Sequence, residues 1–225
     1  MDEVLAEQVA YYQARAGEYD EWWQRRGRYA LPADLERHWF EDVAEAEAAL
    51  RDFAPTGQVL ELACGTGLWT RHLVEYADQV TAVDASPEMI ELNRTRLAGA
   101  PVEHVVADLF EWNPPAATYD AVVFTYWLSH VPDDRLDAFW ATVRTALRPG
   151  GRVFLVDSTR YPPGTAEPTP ARAERRELND GRTFTISKRY WTAPELQSDL
   201  EARGWQPTTR ETTNQMILIS SATLS

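Results

Sequence analysis

Short apolar runs alternate with helical patterns through the middle of the chain. The runs are rich in Val and alternate little with polar residues, which is typical of parallel strands covered on both faces. They lie at 58–62, 79–84, 102–107, 119–127 and 151–157. Helical patterns lie between them at 68–76, 87–97 and 133–147. Strands and helices that alternate in this way predict an α/β fold with a doubly wound, mostly parallel sheet.

The segments on either side of this core have other patterns. Residues 1–53 are predicted to be helical, with many aromatic and arginine residues at 11–29. Prolines between 162 and 170 predict a loop or lid, and Asp180 followed by Gly181 predicts a hairpin turn between two strand-like arms. We therefore expect a single domain over 1–225. Its parts are a helical cap at 1–53, a core at 55–157, a lid and hairpin at 158–192, and a C-terminal helix and strands at 193–225.

Charge and hydropathy narrow the classes of partner. The 225 residues carry a formal net charge of −13, and nucleic-acid binding relies on Lys and Arg to displace counterions, so no nucleic-acid partner is expected. The best candidate for a local basic patch is the run from Arg175 to Arg182, which we interpret as a solvated hairpin. No apolar run approaches membrane-spanning length, and the acidic start lacks the features of a signal peptide, so no membrane partner is expected.

Residue usage indicates the compartment. Cys64 is the only cysteine, so no intrachain disulfide can form, and a reducing cytoplasm fits. Lys188 is the only lysine among 22 basic residues, a bias that we interpret as a GC-rich, bacterial genome. The histidines are scattered without H-x-x-x-H spacing, so no metal site is expected. The sequence leaves the oligomeric state open.

The first predicted strand runs into a glycine-containing loop, "VLELACGTGLWT" at 59–70. Ligands of doubly wound sheets bind beyond the carboxyl ends of the strands, which makes this loop the candidate ligand loop. A dinucleotide fingerprint requires G-x-G-x-x-G, and Gly65 and Gly67 match its first two glycines, whereas Thr70 occupies the third position. Glu61 would also lie where a pyrophosphate approaches a helix N-terminus. An NAD(P)-dependent oxidoreductase is therefore the disfavoured alternative.

A cationic ligand removes the objection to Glu61. S-adenosylmethionine carries a sulfonium and an ammonium, and its adenosine has no phosphates, so an acid at the strand end suits it by charge complementarity. The stretch "ELACGTG" resembles the first motif, E/D-x-G-x-G-x-G, of class I S-adenosylmethionine-dependent methyltransferases, with Ala63 in place of the first glycine. The resemblance covers about residues 55–157. It implies a seven-stranded Rossmann-like sheet and S-adenosylmethionine as the cofactor.

The same resemblance implies roles for residues at successive strand ends. Asp84 is implied to bind both ribose hydroxyls, and Ala85 and Met89 to flank the adenine. Asp108 is implied to contact the adenine amine, with the amide of Leu109 beside it. The predicted cofactor-binding residues are Tyr19, Glu61, Ala63, Gly65, Gly67, Asp84, Ala85, Met89, Asp108, Leu109 and Tyr126.

The N-terminal cap also resembles part of this family. Tyr12, Ala16 and Tyr19 match the lid pattern Y-x-x-x-A-x-x-Y-D of small-molecule members, in which a tyrosine often closes over the cofactor. Some members that methylate phosphobases pair such a tyrosine with a histidine after the fourth strand, which implies a catalytic pair of Tyr19 and His130. Packing of an amphipathic aromatic face against a core is the alternative interpretation.

The acceptor side is predicted from the end of the fourth strand. Methyl transfer is an in-line displacement, so the protein mainly aligns the nucleophile and excludes water. A phenol, carboxylic acid or protonated amine needs a general base, for which His130 is the best-placed candidate, whereas a neutral amine needs little more. The alternative is a hydrogen-bonded histidine that anchors the strand-to-helix turn. The predicted acceptor-binding residues are Trp23, Trp127, His130 and Tyr190.

Together these observations predict a methyltransferase that moves a methyl group from S-adenosylmethionine to oxygen or nitrogen of a small acceptor. The aromatic residues of the cap and hairpin favour an aromatic or hydrophobic metabolite as that acceptor. Two alternatives stay open, the oxidoreductase described above and a non-catalytic regulator that keeps an S-adenosylmethionine pocket.

Overall fold

The computed structural model describes residues 2–159 and 173–224. The strands in these ranges are β1 (Gly57–Leu62), β2 (Ala77–Asp84), β3 (Val102–Val106), β4 (Tyr119–Thr125), β5 (Leu147–Ser158), β6 (Ala173–Glu177), β7 (Thr183–Ser187), β8 (Trp205–Glu211) and β9 (Ile217–Leu224). Seven of them form one sheet in the order β3-β2-β1-β4-β5-β9-β8, and β6 pairs with β7 in a separate hairpin. The predicted doubly wound sheet is confirmed.

The strand directions place a ligand crevice beside β1. Strands β1 to β5 pair in parallel, whereas β9 runs antiparallel to both β5 and β8. The chain order changes direction at β1, which lies between β2 and β4. The carboxyl ends of β1, β2 and β4 therefore meet at the topological switch point, where ligands of doubly wound sheets bind.

Three of the described helices come before the first strand of this sheet in the chain, and the others connect its strands. The helices are α1 (Asp2–Arg15), α2 (Tyr19–Trp23), α3 (Ala33–Phe53), α4 (Thr70–Leu73), α5 (Pro87–Arg96), α6 (Leu136–Ala146) and α7 (Ala193–Ala202). The helix predicted over 68–76 is a single turn, α4. The chain leaves it through tight turns, in which Glu75 N donates to His72 O at 3.3 Å and Tyr76 N to Leu73 O at 3.0 Å, and enters β2 at once.

Two hydrophobic layers cover the two faces of the sheet. Val122 and Phe124 of β4 pack on one side with α6 and α7, while Ala121 and Val123 pack on the other side with α3. Side chains of a strand alternate between the faces, so a strand buried on both sides needs an unbroken apolar run. This burial explains the lack of alternation in the sequence. Among the described helices, none has both the length and the apolar character needed to cross a membrane.

The hairpin is joined to the N-terminal helix. Gln8 Oε1 accepts a hydrogen bond from Ser187 N at 3.1 Å, and Glu7 Oε1 accepts one from Thr185 N at 2.7 Å. Tyr11 of α1 also packs with Leu178 of the hairpin in a small apolar cluster. Helix α1 and the hairpin thus form one continuous cover near the carboxyl edge of the sheet. The proline-rich lid predicted after the fifth strand lies at 160–172, outside the described residues.

Candidate active site

A cavity of about 760 Å³ lies at the switch point. Residues that follow β1, β2 and β4 form one part of its wall, and residues of α1, α2 and the hairpin form the other. Ligand cavities span about 300–1,000 Å³, so this one has room for an organic cofactor with a small second molecule. Within 2–159 and 173–224, no group of three or more His, Cys, Asp or Glu side chains could hold a metal ion.

The glycine loop after β1 has a left-handed backbone at three positions. Ala63, Gly65 and Gly67 have φ values of 54°, 53° and 86°. A side chain at Gly65 would meet open space, and Gly65 lines the cavity. A Cβ at Gly67 would lie 3.0 Å from Asn93 and 3.1 Å from Leu97, so this glycine permits close packing against the α5 segment. Of the two glycines, Gly65 is the one that offers bare backbone to a ligand.

Asp84, at the end of β2, organises the floor of the cavity. Its Oδ2 accepts a hydrogen bond from Gly65 N, and its Oδ1 accepts one from Ser86 N, both at 2.9 Å. Burial raises the pKa of Asp84, and these backbone hydrogen bonds partly offset the rise. Each carboxylate oxygen has a second lone pair, so the group can still accept from two ligand hydroxyls. Asp84 is thus fixed in position and keeps acceptor capacity.

Residues after β2 and β3 line the same end of the cavity. Ala85 and Met89 lie at the start of the α5 segment, where Ser86 Oγ caps the helix by accepting from Met89 N at 3.1 Å. Asp108 and Leu109 follow β3, and the Asp108 carboxylate accepts from the Phe110 amide at 2.9 Å. The positions that the sequence assigned to a nucleoside are therefore neighbours in the structure.

Glu61 lies in β1 behind the glycine loop and does not line the cavity. It is 1% exposed, and neither carboxylate oxygen makes a hydrogen bond within ordinary geometric limits to any residue in 2–159 or 173–224. Burial raises the pKa of Glu61 to about 8, the charge of Asp84 adds to this effect, and the nearby Thr70 hydroxyl opposes it. A buried acid without a partner is costly, and a cation bound at the loop would offset that cost.

The lid segment α2 is tied to the glycine loop. Thr66 Oγ1 donates to Asp20 Oδ1 at 2.7 Å, and the Arg96 guanidinium bonds both Asp20 and the Thr66 carbonyl oxygen. Tyr19, at the start of α2, lines the cavity, and burial raises its pKa to about 12. These contacts hold Tyr19 at the glycine-loop end of the cavity.

His130 is held by two hydrogen bonds. Its Nδ1 lies 2.8 Å from the carbonyl oxygen of Ser187, which can only accept, so Nδ1 carries the proton. The Tyr12 hydroxyl lies 2.9 Å from Nε2 and donates to it. Burial lowers the pKa of His130 well below its usual value, and the charge of Lys188 lowers it further. His130 is therefore neutral, with both ring nitrogens engaged.

The histidine predicted to pair with Tyr19 contacts Tyr12 instead. The chain breaks its helix between α1 and α2, at Ala16–Glu18, so Tyr12 stays beside the hairpin while Tyr19 is carried toward the loop. The Tyr12 and Tyr19 ring centroids are 6.4 Å apart. Periodicity did not reveal this break, because both tyrosines fall on one face of an unbroken helix.

We expect the His130 ring to stay neutral throughout the physiological range. Its lowered pKa means that its ¹H and ¹⁵N resonances do not titrate between about pH 5.5 and 8, whereas an unperturbed histidine titrates near pH 6.5. NMR titration of the native chain checks this, with the urea-unfolded chain as the control. A His130 midpoint close to that of the unfolded chain would contradict the assignment.

Tyr126, the residue after β4, has an unusual backbone. Its φ is 54°, which a bulky residue rarely adopts, and its amide donates to Val156 O at 2.7 Å. The hydroxyl is buried and has no hydrogen-bond partner in the part of the chain that the structure describes, and the ring contacts Trp22 edge-on at 5.0 Å between centroids. Such strain is typical of functional positions, and Tyr126 lines the cavity.

The structure brings most of the predicted site residues together. Those that line the cavity are Tyr19, Ala63, Gly65, Asp84, Ala85, Met89, Asp108, Leu109, Tyr126, Trp127, His130 and Tyr190. Glu61, Gly67 and Trp23 do not line it. Trp23 packs instead between Trp39 and Trp69, at ring distances of 5.7 and 5.9 Å, because successive helical side chains point in different directions and its neighbour Trp22 faces the cavity.

Several cationic side chains also line the cavity, and their position there was not predicted from the sequence. They are Arg15, Arg25, Arg28, Arg175, Arg176 and Lys188. The arginine run at 175–182 was interpreted as a solvated hairpin, which holds for the exposed Arg182, whereas Arg175 and Arg176 reach the cavity wall. The density of arginines among aromatics at 11–29 was the available signal.

Fold and site together define a doubly wound α/β protein with a ligand cavity at the switch point of its sheet. Comparison with known proteins agrees. A family model described as a methyltransferase domain matches residues 59–151. A solved DhpI–SAH complex is 38% identical, with a TM-score of 0.81, over 100% of this chain and 98% of that chain. A DhpI–SAM–HEP complex is 40% identical, with a TM-score of 0.83, over 99% of both chains.

A curated relative matches over a shorter part. The ubiquinone biosynthesis O-methyltransferase of Xanthomonas campestris pv. campestris (strain B100) is 30% identical over 146 residues, which are 63% of this chain and 57% of that protein. The match thus spans little more than half of the relative's length. Taken with the two full-length structural matches, the chain belongs to the class I S-adenosylmethionine-dependent methyltransferases, and S-adenosylmethionine is its cofactor.

The residues present fit this cofactor. The unpartnered carboxylate of Glu61 suits a ligand with an ammonium and a sulfonium, and Gly65 leaves open space where any other residue would place a Cβ. Asp84 offers its remaining lone pairs from the cavity floor.

Proposed function

We propose that this chain transfers the methyl group of S-adenosylmethionine to an oxygen or nitrogen of a small molecule. The observation that supports this most is one continuous cavity. It joins Asp84 and the glycine loop at one end to Tyr12 and His130 at the other. A donor and an acceptor can therefore occupy one enclosed space, as in-line displacement requires.

The donor end has a proposed role for each residue. Asp84 holds the ribose hydroxyls, Ala85 and Met89 flank the adenine, and Asp108 with the Leu109 amide contacts its amine edge. Glu61 and the bare backbone of Gly65 favour the amino-acid part. Tyr19, Ala63 and Tyr126 complete this end of the wall. When bound, S-adenosylmethionine supplies a methyl group on a sulfonium, and displacement leaves a neutral thioether. Gly67 supports the loop by its packing against the α5 segment.

The acceptor end is proposed to act through Tyr12. Since the Tyr12 hydrogen is donated to His130, its oxygen can accept a hydrogen bond from a hydroxyl or amine of the acceptor. His130 positions that oxygen by accepting its hydrogen, and the lowered pKa of His130 makes it a weak base for a proton that the acceptor loses. Trp127 and Tyr190 form walls beside this pair. An oxygen acceptor is in line with the relative from Xanthomonas, which is named an O-methyltransferase.

Thermal shift separates this function from its main alternative. A ligand that binds only the folded chain raises the melting temperature by mass action. S-adenosylhomocysteine should raise it, by an amount that grows with concentration, whereas NADH should leave it unchanged. The opposite order would favour an oxidoreductase. Transfer of a labelled methyl group to a small acceptor by the purified chain would then exclude a non-catalytic regulator.

A further inference from the structure

We propose that the methyl acceptor carries an acid oxyanion, such as a carboxylate, phosphate or phosphonate group, held by Arg15, Arg176 and Lys188 in the cavity described above. This inference rests on the proposed function and specifies its substrate class. It revises the expectation of an aromatic or hydrophobic acceptor, since the aromatic rings that suggested one are accompanied by cationic side chains.

Arg15 is a buried charge without a counter-ion among the described residues. It is 7% exposed and lines the cavity, yet its side-chain Nε has no hydrogen-bond partner, and its guanidinium forms no ion pair with any part of the chain that the structure describes. Its guanidinium carbon lies 4.9 Å from the centre of the Tyr19 ring and 5.3 Å from that of Tyr29, so aromatic faces are what hold it. Burial of an unpaired charge is expensive, and an anionic ligand would provide the missing partner.

Two further cations lie around the Tyr12–His130 pair. Arg176 lines the cavity and has one acid partner, Glu174, at 2.5 Å. Lys188 is 6% exposed, and its Nζ donates to Ser129 Oγ at 2.7 Å and lies 3.8 Å from Asp157. All three cations line the same cavity, and burial lowers the pKa of Lys188, an effect to which the charges of Arg176 and Arg15 add. Their geometry concentrates positive charge at the acceptor end.

The donor does not balance this charge. Among the described residues, six cationic and three acidic side chains line the cavity, and two of the acids, Asp84 and Asp108, lie at the nucleoside end. Glu174 and Asp157 pair with two of the cations from outside the lining, which leaves four cations against one acid, Glu177, in the rest of the cavity. S-adenosylmethionine has one carboxylate against a sulfonium and an ammonium, so its net charge is positive. Its carboxylate can pair with a single cation, for which Arg25, packed 3.5 Å above the Trp39 ring and close to Tyr126, is available. The acceptor must therefore bring negative charge.

An ionised acceptor oxygen also agrees with the state of His130. Both ring nitrogens are engaged and the imidazole is neutral, so it is a weak base for a direct proton transfer. An oxyanion has no proton to remove. Methyl transfer to it forms one oxygen–carbon bond and breaks the donor's carbon–sulfur bond, and the electron pair stays on sulfur.

The inference is tested by calorimetry at constant ionic strength, with anions titrated into the chain that already holds S-adenosylhomocysteine. Inorganic phosphate and acetate are the probes, and tetramethylammonium is the cationic comparison. We expect saturable binding of phosphate, acetate or both, and none of tetramethylammonium. Comparison of the two anions distinguishes a phosphate-like from a carboxylate acceptor. Arg15→Met and Arg176→Gln should each weaken anion binding about tenfold or more, with S-adenosylhomocysteine affinity nearly unchanged.

The matched control is Arg182→Gln, on the same hairpin but exposed and paired with Asp180 outside the cavity. It should leave anion binding unchanged. Failure of S-adenosylhomocysteine to bind would refute the proposed function itself. Normal binding of S-adenosylhomocysteine with no bound anion would overturn only the present inference, as would anion binding that neither cavity variant weakens. Two variants are used because either one alone could disturb folding, which a melting curve reveals.

Discussion

Asp84→Ala should weaken the binding of S-adenosylhomocysteine about 100-fold, because it removes the two charge-assisted hydrogen bonds that we propose between Asp84 and the ribose, each contributing roughly 1.5 kcal/mol. The variant also takes away the acceptor for Gly65 N and Ser86 N, so the glycine loop loses its anchor. Calorimetry measures the dissociation constant, and a thermal melt confirms that the variant is folded.

The control for Asp84 lies on the same strand. Asp78 is exposed at the opposite end of β2, so Asp78→Ala removes an equal charge without touching the cavity. Its affinity for S-adenosylhomocysteine should match that of the native chain. If Asp84→Ala binds as tightly as Asp78→Ala, the ribose assignment is wrong.

Glu61→Gln should remove a pH dependence of folding. The pKa of Glu61 is raised to about 8 from a usual 4.5, so between these values the folded chain keeps a proton that the unfolded chain loses. The contribution of Glu61 to the free energy of unfolding is therefore complete below pH 4.5 and declines as the pH rises from 4.5 to about 8. The decline reaches at most about 1.4 kcal/mol per pH unit. Urea unfolding at several pH values measures it.

The same residue links proton release to cofactor binding. A bound ammonium favours the ionised form of Glu61, so S-adenosylhomocysteine should bind more tightly as pH rises toward 8 and release a proton as it binds. Calorimetry in two buffers of different ionisation enthalpy counts that proton. Glu61→Gln should abolish this proton release. The control variant, Glu103→Gln at an exposed position of β3, should retain it. Equal release by all three chains would contradict this account of Glu61.

The donor side of the molecule was predictable because it is encoded locally. Asp84 ends one strand and Asp108 follows another, and parallel strands bring their carboxyl ends together, so the place of both acids in one cavity could be predicted from the order of the elements. Glu61 was singled out for its charge beside the glycines, although its place behind the loop needed coordinates. Gly67 was assigned to the ligand, and its role in packing depends on Asn93 in another element.

The acceptor side was less predictable because it is built from distant segments. Arg15, Arg176 and Lys188 come from α1 and the hairpin, whose association depends on side-chain bonds such as that from Ser187 N to Gln8 Oε1. The break after α1 decides that Tyr12, and not Tyr19, meets His130. Trp22 and Trp23 are neighbours in the sequence, and their side chains point in different directions, so that only Trp22 faces the cavity. Two adjacent aromatic residues in a sequence do not reveal which of them does so.

A crystal structure of the chain with S-adenosylhomocysteine tests the central claim most directly. We expect both ribose hydroxyls to donate hydrogen bonds to Asp84 and the adenine to lie beside Asp108. The sulfur should face the space between Tyr12 and Arg15. An adenosine bound elsewhere, or a sulfur turned away from that cation-lined space, would contradict it.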